Sequence, residues 1–473
     1  MAHFEVPPEV LEQDPSGTAN VFGNRAFVSL WIAQLLSQLA SNMVLAALMA
    51  TVFDATGSNS AVAALILTFL VPAVAFSAVA GVYVDRVDAR LIMLSSNVLR
   101  AAATIAFVFV GGHVGLILLV NLFIATVSAF FAPAELTTIP RVVERRSLMA
   151  ANSVFTLTIN GTFAVGFGLL GPLLLRAGGT TVVYVVVAAM FALAAAAIVP
   201  LASVPPRDSS HEVGAGRAAR ALVEQLREGI VFVRQNHGVA WALSYLGIAA
   251  SLIGVMGVLG PGFADTVLGL ASQDFFFIMG PAGLGAVIGI LFLNSYGRLL
   301  PQRLLIDVAL VAMGITLVGL AVVKPVTSFL STTVPIEANL PQALSPLLSV
   351  IAVVLVIAVL AGLEYAFVAI PSQTALQEEL PPAVRGRIFG ILNTLLSFAS
   401  FFPVVVVPII ADLLDTVSRG NGIPFVMALL GIVIAVAGVA SYRHNRSTGA
   451  HRRRPSDGAS AAAAPAGTEA SGR

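Results

Sequence analysis

Glu364 sits alone in the apolar run AGLEYAF, 14 residues before Glu378. That separation is roughly 21 Å along a helix axis, which puts Glu364 near the middle of a membrane-length segment. A carboxylate stripped of water at that depth can load and release a proton near neutral pH, which is the chemistry a proton antiporter needs. The bland alternative is a glutamate hydrogen-bonded to a neighbouring helix, and the residues alone leave both open. Arg100 and Glu135 form a second constellation. Arg100 lies ten residues past Arg90, and Glu135 six residues before Arg141, so two adjacent helices would hold them at overlapping depths. They suit an intramembrane ion pair, structural or gating; contact of Arg100 with an anionic substrate is the sharper alternative. Gln34, Gln38, Ser41 and Asn42 share one helical face. This neutral stripe can line a cavity or bond a neighbouring helix, and its neutrality argues against strongly cationic ligands.

Other chemistries find no support in the residues. The chain has no cysteine, which removes thiolate nucleophiles, disulfides and cysteine metal sites. Its single lysine, Lys324, precedes Pro325, so the Walker A phosphate loop cannot form. The six histidines (His3, His113, His211, His237, His444 and His451) contain no i, i+4 pair. The expectation is therefore no metal, no cofactor, no enzymatic activity and no nucleic-acid partner.

The elements that must position these groups are membrane helices. Twelve long apolar stretches fill most of the 473 residues; 58% of residues are apolar and 10% charged, beyond the range of soluble domains. Crossing about 30 Å of hydrocarbon takes about 20 residues as helix, the one single-segment form that satisfies its own backbone. The fold class is an all-α polytopic membrane protein with twelve transmembrane helices in two six-helix halves. The expected division is a polar leader (1–24), an N-terminal half (25–203), a linker with an amphipathic helix (204–237), a C-terminal half (238–442) and a disordered tail (443–473). An irregular insert, 324–346, separates the ninth and tenth spans. If the N-terminus is cytoplasmic, 21 of 25 basic residues fall on the cytoplasmic side, Arg100 lies within the membrane and only Arg176, Lys324 and Arg419 fall opposite. The positive-inside bias then places both termini inside. The leader has no basic start or early apolar run, so it does not read as a signal peptide. Asp307 lies near enough to the same side to be interfacial.

Between the second and third spans stands GVYVDRVDAR, from Gly81 to Arg90. Gly81 would let two helices approach closely. Asp85 can meet a helix N-terminus or a cation, and Arg86 and Arg90 can pair with carboxylates on neighbouring helices, closing one face of a bundle. With six plus six spans, this loop resembles the signature of the major facilitator superfamily, G-x-x-x-D-R-x-G-R-R. Gly81, Asp85, Arg86 and Arg90 match it, while Asp88 replaces its second glycine and Ala89 one arginine. The variant, together with Arg100, resembles a bacterial branch of enterobactin-exporter-like and macrolide-efflux-like proteins. So do residues 133–153 and 371–393, the latter containing Gln377 and Arg385-Gly386-Arg387. Pro133 and Pro371 lie 238 residues apart, about half the chain, as parallel repeats require. Gly171-Pro172 matches the core of an antiporter motif of that superfamily, with Gly178-Gly179 too late for its end.

The resemblance implies alternating access about a midplane site between the halves. The expected function is secondary active transport: proton-coupled efflux of a hydrophobic or amphipathic small molecule, drug-like or siderophore-like, by a monomer in the plasma membrane. A same-fold carrier for a lipid or nutrient, and a non-transporting receptor or scaffold, remain alternatives. The partners expected are membrane lipids, the small-molecule substrate and protons.

Overall fold

The computed structural model describes residues 21–205, 215–326, 350–379, 385–418 and 420–452. The first twenty residues, most of the 324–346 insert and the chain beyond 452 lie outside these. Helix α1 (Arg25–Thr56) starts where the Asn24 side chain accepts hydrogen bonds from the Ala26 and Phe27 amides. It ends at Gly57, left-handed at φ 61°. Ser58 caps α2 (Asn59–Ala75), and α3 (Ser77–Arg86) resumes the crossing after a break at Phe76, four residues beyond Pro72. Asp88 caps α4 (Ala89–Val110), and α5 (Val114–Val142) follows after a turn at Gly111. Helix α6 (Leu148–Thr162) passes through a π-helical stretch, Phe163–Leu170, into α7 (Gly171–Ile198). That continuous stretch, Leu148–Ile198, is 51 residues long, about 77 Å if straight, more than twice the hydrocarbon thickness. Gly179, at φ 72° and ψ −175°, divides it into two crossings.

The strongly amphipathic α8 (Ala215–Gln235) leads to α9 (His237–Gly262) and its π-helical end, Phe263–Val267. Then come α10 (Phe275–Tyr296), α11 (Gln302–Ala321), α12 (Val350–Glu379), α13 (Arg385–Ser418) and α14 (Gly422–Arg452). Ten helical stretches among the described residues are long and apolar enough to cross a membrane, beside the shorter apolar α2. With Leu148–Ile198 read as two crossings and α2–α3 as one broken crossing, the twelve expected spans are present.

The two halves pack by the same rule. In the first, α4 packs on α7, α2 on α5 and α4 on α5; in the second, α11 packs on α14, α10 on α12 and α11 on α12. These are matching pairs of a six-helix repeat. Within the second half, backbones approach to the limit: a Cβ on Gly362 would lie 1.8 Å from the Ala282 carbonyl oxygen, and one on Gly285 1.9 Å from that of Val359. Large apolar side chains cover the outside, including Phe109 at 84% exposure and Val436 at 61%. A surface this apolar belongs in lipid.

Candidate transport pathway

Between the halves lies a cavity of about 250 Å³. Its walls come from both halves: Leu45 and Met49 of α1, Phe163 and Phe167 of the π-helical stretch, Met279 of α10 and Phe401 of α13. The hydroxyls of Ser397 and Ser400 are the polar side-chain groups of the lining; the rest is apolar. Such walls hold a ligand by excluding water from apolar surface and impose no charge requirement.

One end of this cavity is closed by bonds between the halves. Asp412 of α13 reaches the start of α2 in the other half. Its Oδ1 accepts from the Asn59 amide (3.1 Å) and side chain (2.8 Å), and its Oδ2 from the Ser60 amide (2.8 Å) and the Ser58 hydroxyl (2.7 Å). A carboxylate is well placed there, because the first amides of a helix lack intrahelical partners and carry positive partial charge. At the same end Arg176 of α7 pairs with Asp274 at 3.3 Å, again across the halves.

The other end carries Arg86, Arg90 and Arg141 and is called the basic end. Its described bonds stay within a half. Asp88 accepts from the Arg90 amide (2.9 Å), the Val204 amide (3.0 Å) and the Ser203 hydroxyl. Burial pushes the Asp88 carboxyl up, but the Ser203 hydroxyl and the Val204, Arg90 and Leu91 amides outweigh it and hold the group below its ordinary value. The Arg90 guanidinium donates to the Val199 carbonyl and that of Arg141 to Pro205 at 2.9 Å. In the second half, Tyr245 donates to Ser441 (2.5 Å), and Ser441 to Asp307. Asp307, at this end of the second half, is 2% exposed and ties α11 to α14. Helix α8 lies across this end, touching α3 and α13.

The residues singled out in the sequence distribute over this frame. Gly81 has nothing within 4 Å of where a Cβ would stand, so the close approach it permits is not made in this conformation. Asp85 is half-buried and Arg86 exposed. Arg100 is 3% exposed, bonded to Asn97 Oδ1 (2.8 Å) and the Ser96 carbonyl (3.3 Å). Its guanidinium carbon lies over the rings of Phe131 (4.6 Å) and Phe191 (4.8 Å). Glu135 interacts with Arg100 through space, yet no nitrogen–oxygen contact within 4.0 Å joins them, and Glu135 Oε1 is buried without a hydrogen bond. Glu364 is 8% exposed and is not among the cavity-lining residues. Its Oε1 accepts from Thr316 of α11 at 2.8 Å, and its Oε2 has no hydrogen-bond partner.

On α1, Gln34 is 3% exposed and Gln38, Ser41 and Asn42 are half-buried. Ser41 donates back to Ser37, and Asn42 packs where a Cβ on Gly166 would lie 3.0 Å away. The α1 contribution to the cavity comes instead from Leu45 and Met49. Gln377 is exposed near the end of α12, and Arg385, Gly386 and Arg387 open α13. Asp412 escaped the sequence reading, although an aspartate ending an apolar run (PVVVVPIIAD) is a signal for it.

A model of the Major Facilitator Superfamily matches residues 30–403. Macrolide efflux protein A of Streptococcus pyogenes is 23% identical over 402 residues, covering 82% of this chain and 89% of that protein. Among solved structures, the nucleoside transporter NupG superposes with a TM-score of 0.62 at 15% identity, over 88% of this chain and 99% of that one. A bacterial homologue of the human lysosomal transporter Spinster, inward-facing and unoccupied, gives 0.57 at 14% identity, over 90% and 95%. With two matching six-helix halves around a cavity and a family match over most of its length, the chain belongs to the Major Facilitator Superfamily of multi-pass membrane transporters.

Proposed function

We propose that this transporter exports a hydrophobic or amphipathic small molecule, with inward proton flow driving outward substrate flow by alternating access. The observation that carries the reading is the apolar cavity between the halves, bonded shut across the end that holds Asp412. The basic end faces the cytoplasm, since 21 of 25 basic residues then lie inside. In this reading the bonded Asp412 end faces outward, both termini are cytoplasmic and the membrane is the plasma membrane. The likeness to a macrolide efflux protein supports export over uptake.

Two buried carboxylates with an unbonded oxygen are available for the proton, Glu364 and Glu135. Glu364 remains the first choice, because its one described hydrogen bond comes from the Thr316 hydroxyl, whereas the nearby Arg100 charge acts on Glu135. It acts on α12, which packs against α9 of the cavity wall. The test is purified protein in liposomes with an imposed pH gradient, an internal pH dye and candidate amphiphiles, macrolides included. Substrate-triggered proton movement in wild type that falls at least about tenfold in Glu364→Gln is expected for a required proton carrier. Movement retained in that variant but lost in Glu135→Gln would reassign the carrier. No proton movement with any substrate that is nonetheless transported would remove proton coupling.

A further inference from the structure

One face of the fifth crossing changes chemistry along its length. Near the basic end, Asn152, Thr156 and Asn160 line an open recess between Met149 and Leu157. Along the same face, Phe163 and Phe167 stack at 5.1 Å with their rings 9° from parallel, and both line the apolar cavity between the halves. Residues 152, 156, 160, 163 and 167 follow at steps of four, four, three and four, so they form a continuous strip. The π-helical stretch at Phe163–Leu170 is where the polar part gives way to the aromatic one, and such stretches favour functional sites.

The polar part carries hydrogen-bonding groups that the described fold leaves unused. Asn160 Nδ2 bonds the Thr156 carbonyl, which leaves its Oδ1 outward. Among the described residues no hydrogen bond uses the Asn152 or Thr156 side chain, whereas on the opposite face of the helix Thr158 accepts from the Trp31 indole at 2.8 Å and donates to the Val154 carbonyl at 2.8 Å. No charged side chain lines either recess. Three uncharged groups able both to donate and to accept match a hydroxyl-rich surface, and the absence of charge leaves an ion nothing to pair with.

We propose that this strip is a two-zone subsite for an uncharged amphiphile. Its hydroxylated, sugar-like part bonds Asn152, Thr156 and Asn160, and its apolar body rests on Phe163 and Phe167. Thr156 stands seven residues before Phe163, about 10 Å along the helix, which sets the spacing between the two parts. This deepens the exporter reading by naming its substrate class and rests on that reading only for what happens after binding.

The test compares a neutral naphthyl glucoside with its aglycone, naphthol, binding to full-length protein in nanodiscs, read by intrinsic tryptophan fluorescence. Wild type is expected to bind the glucoside more tightly. Thr156→Val with Asn160→Leu should weaken glucoside binding about tenfold and leave naphthol within about twofold, whereas Phe167→Ala should weaken both. Thr156→Ser, which keeps the hydroxyl, should restore most of the glucoside affinity when paired with native Asn160. Equal loss for both ligands in the polar variant, no preference for the glucoside in wild type, or binding of neither overturns the subsite. Glucoside binding with the expected variant pattern but no transport in liposomes would support the subsite and count against export.

Discussion

At the end where α1 meets α2, four hydrogen bonds from Ser58, Asn59 and Ser60 converge on a carboxylate of the opposite half. At the basic end, Asp88, Arg90 and Arg141 bond the close of α7 and the chain just after it, and Tyr245, Ser441 and Asp307 bond one another. The first set joins the halves; the second stiffens each half separately. Opening the bundle at the Asp412 end must break charge-assisted bonds and expose the first amides of α2, whereas the bonds of Asp88 and Asp307 survive any rocking of one half on the other. In the described conformation polar contacts thus join the halves at the closed end, beside apolar packing of Phe53 with Phe263 and Ile423 in one cluster, while the bonds at the basic end leave the halves able to move as units. Bistability of that kind is what alternating access requires.

The largest effect is expected at Asp412. Asp412→Ala removes the acceptor of all four bonds, and bonds to charged groups are worth about 1.5–3 kcal/mol each, net of the bonds to water they replace. The closed end should open in a population increased at least about tenfold. The chain contains no cysteine, so a single Met49→Cys in the cavity reports access directly. A membrane-impermeant maleimide added on the Asp412 side should label it faster in Asp412→Ala than in the otherwise native background. An unchanged rate would mean that apolar packing, and not this carboxylate, holds the end shut.

An intermediate effect, of a different kind, is expected at Asp88. Asp88→Ala removes a helix cap and should lower thermal stability by about 1–2 kcal/mol without changing Met49→Cys labelling. The pH dependence follows from the depressed carboxyl. Its stabilising contribution is present above the ordinary value of 3.8 and is lost as pH falls below that value through the folded-state one. Asp88→Asn should flatten stability against pH in that acid range, and altered labelling in either variant would contradict the division between the two ends. The smallest effect belongs to the Arg176–Asp274 pair, whose side chains are 64% and 19% exposed. Arg176→Gln should raise labelling less than about threefold, and salt near 1 M should erase the difference from wild type.

What the sequence made legible was set by period and length. Apolar runs of about 20 residues fixed the spans, and the skew of arginines suggested their orientation. Partners distant in sequence were not legible. Nothing local to Asp412 reveals that Ser58, Asn59 and Ser60, more than 350 residues earlier, would surround it. The α1 stripe shows the complementary limit. Periodicity places Gln34, Gln38, Ser41 and Asn42 on one face, but only packing against Gly166 shows which neighbour Asn42 meets. Arg100 and Glu135 were brought to one layer by their depth on adjacent helices, yet the guanidinium found Asn97 and two aromatic rings. Phe131, one helical turn before Glu135, offers an arginine a face that charge matching alone does not anticipate.

The central claim, that the halves rock as units about the cavity, is tested most directly by distances measured at both ends of one molecule. Spin labels at His113→Cys and Thr416→Cys would span the closed end, and labels at Arg145→Cys and Leu299→Cys the basic end. Pulsed electron resonance in nanodiscs would compare these pairs with and without Asp412→Ala, and with and without a transported substrate. Opposite changes are expected, the first pair lengthening by several ångströms as the second shortens, about the length of one helical turn. Two distances that stay fixed, or that lengthen together, would contradict it.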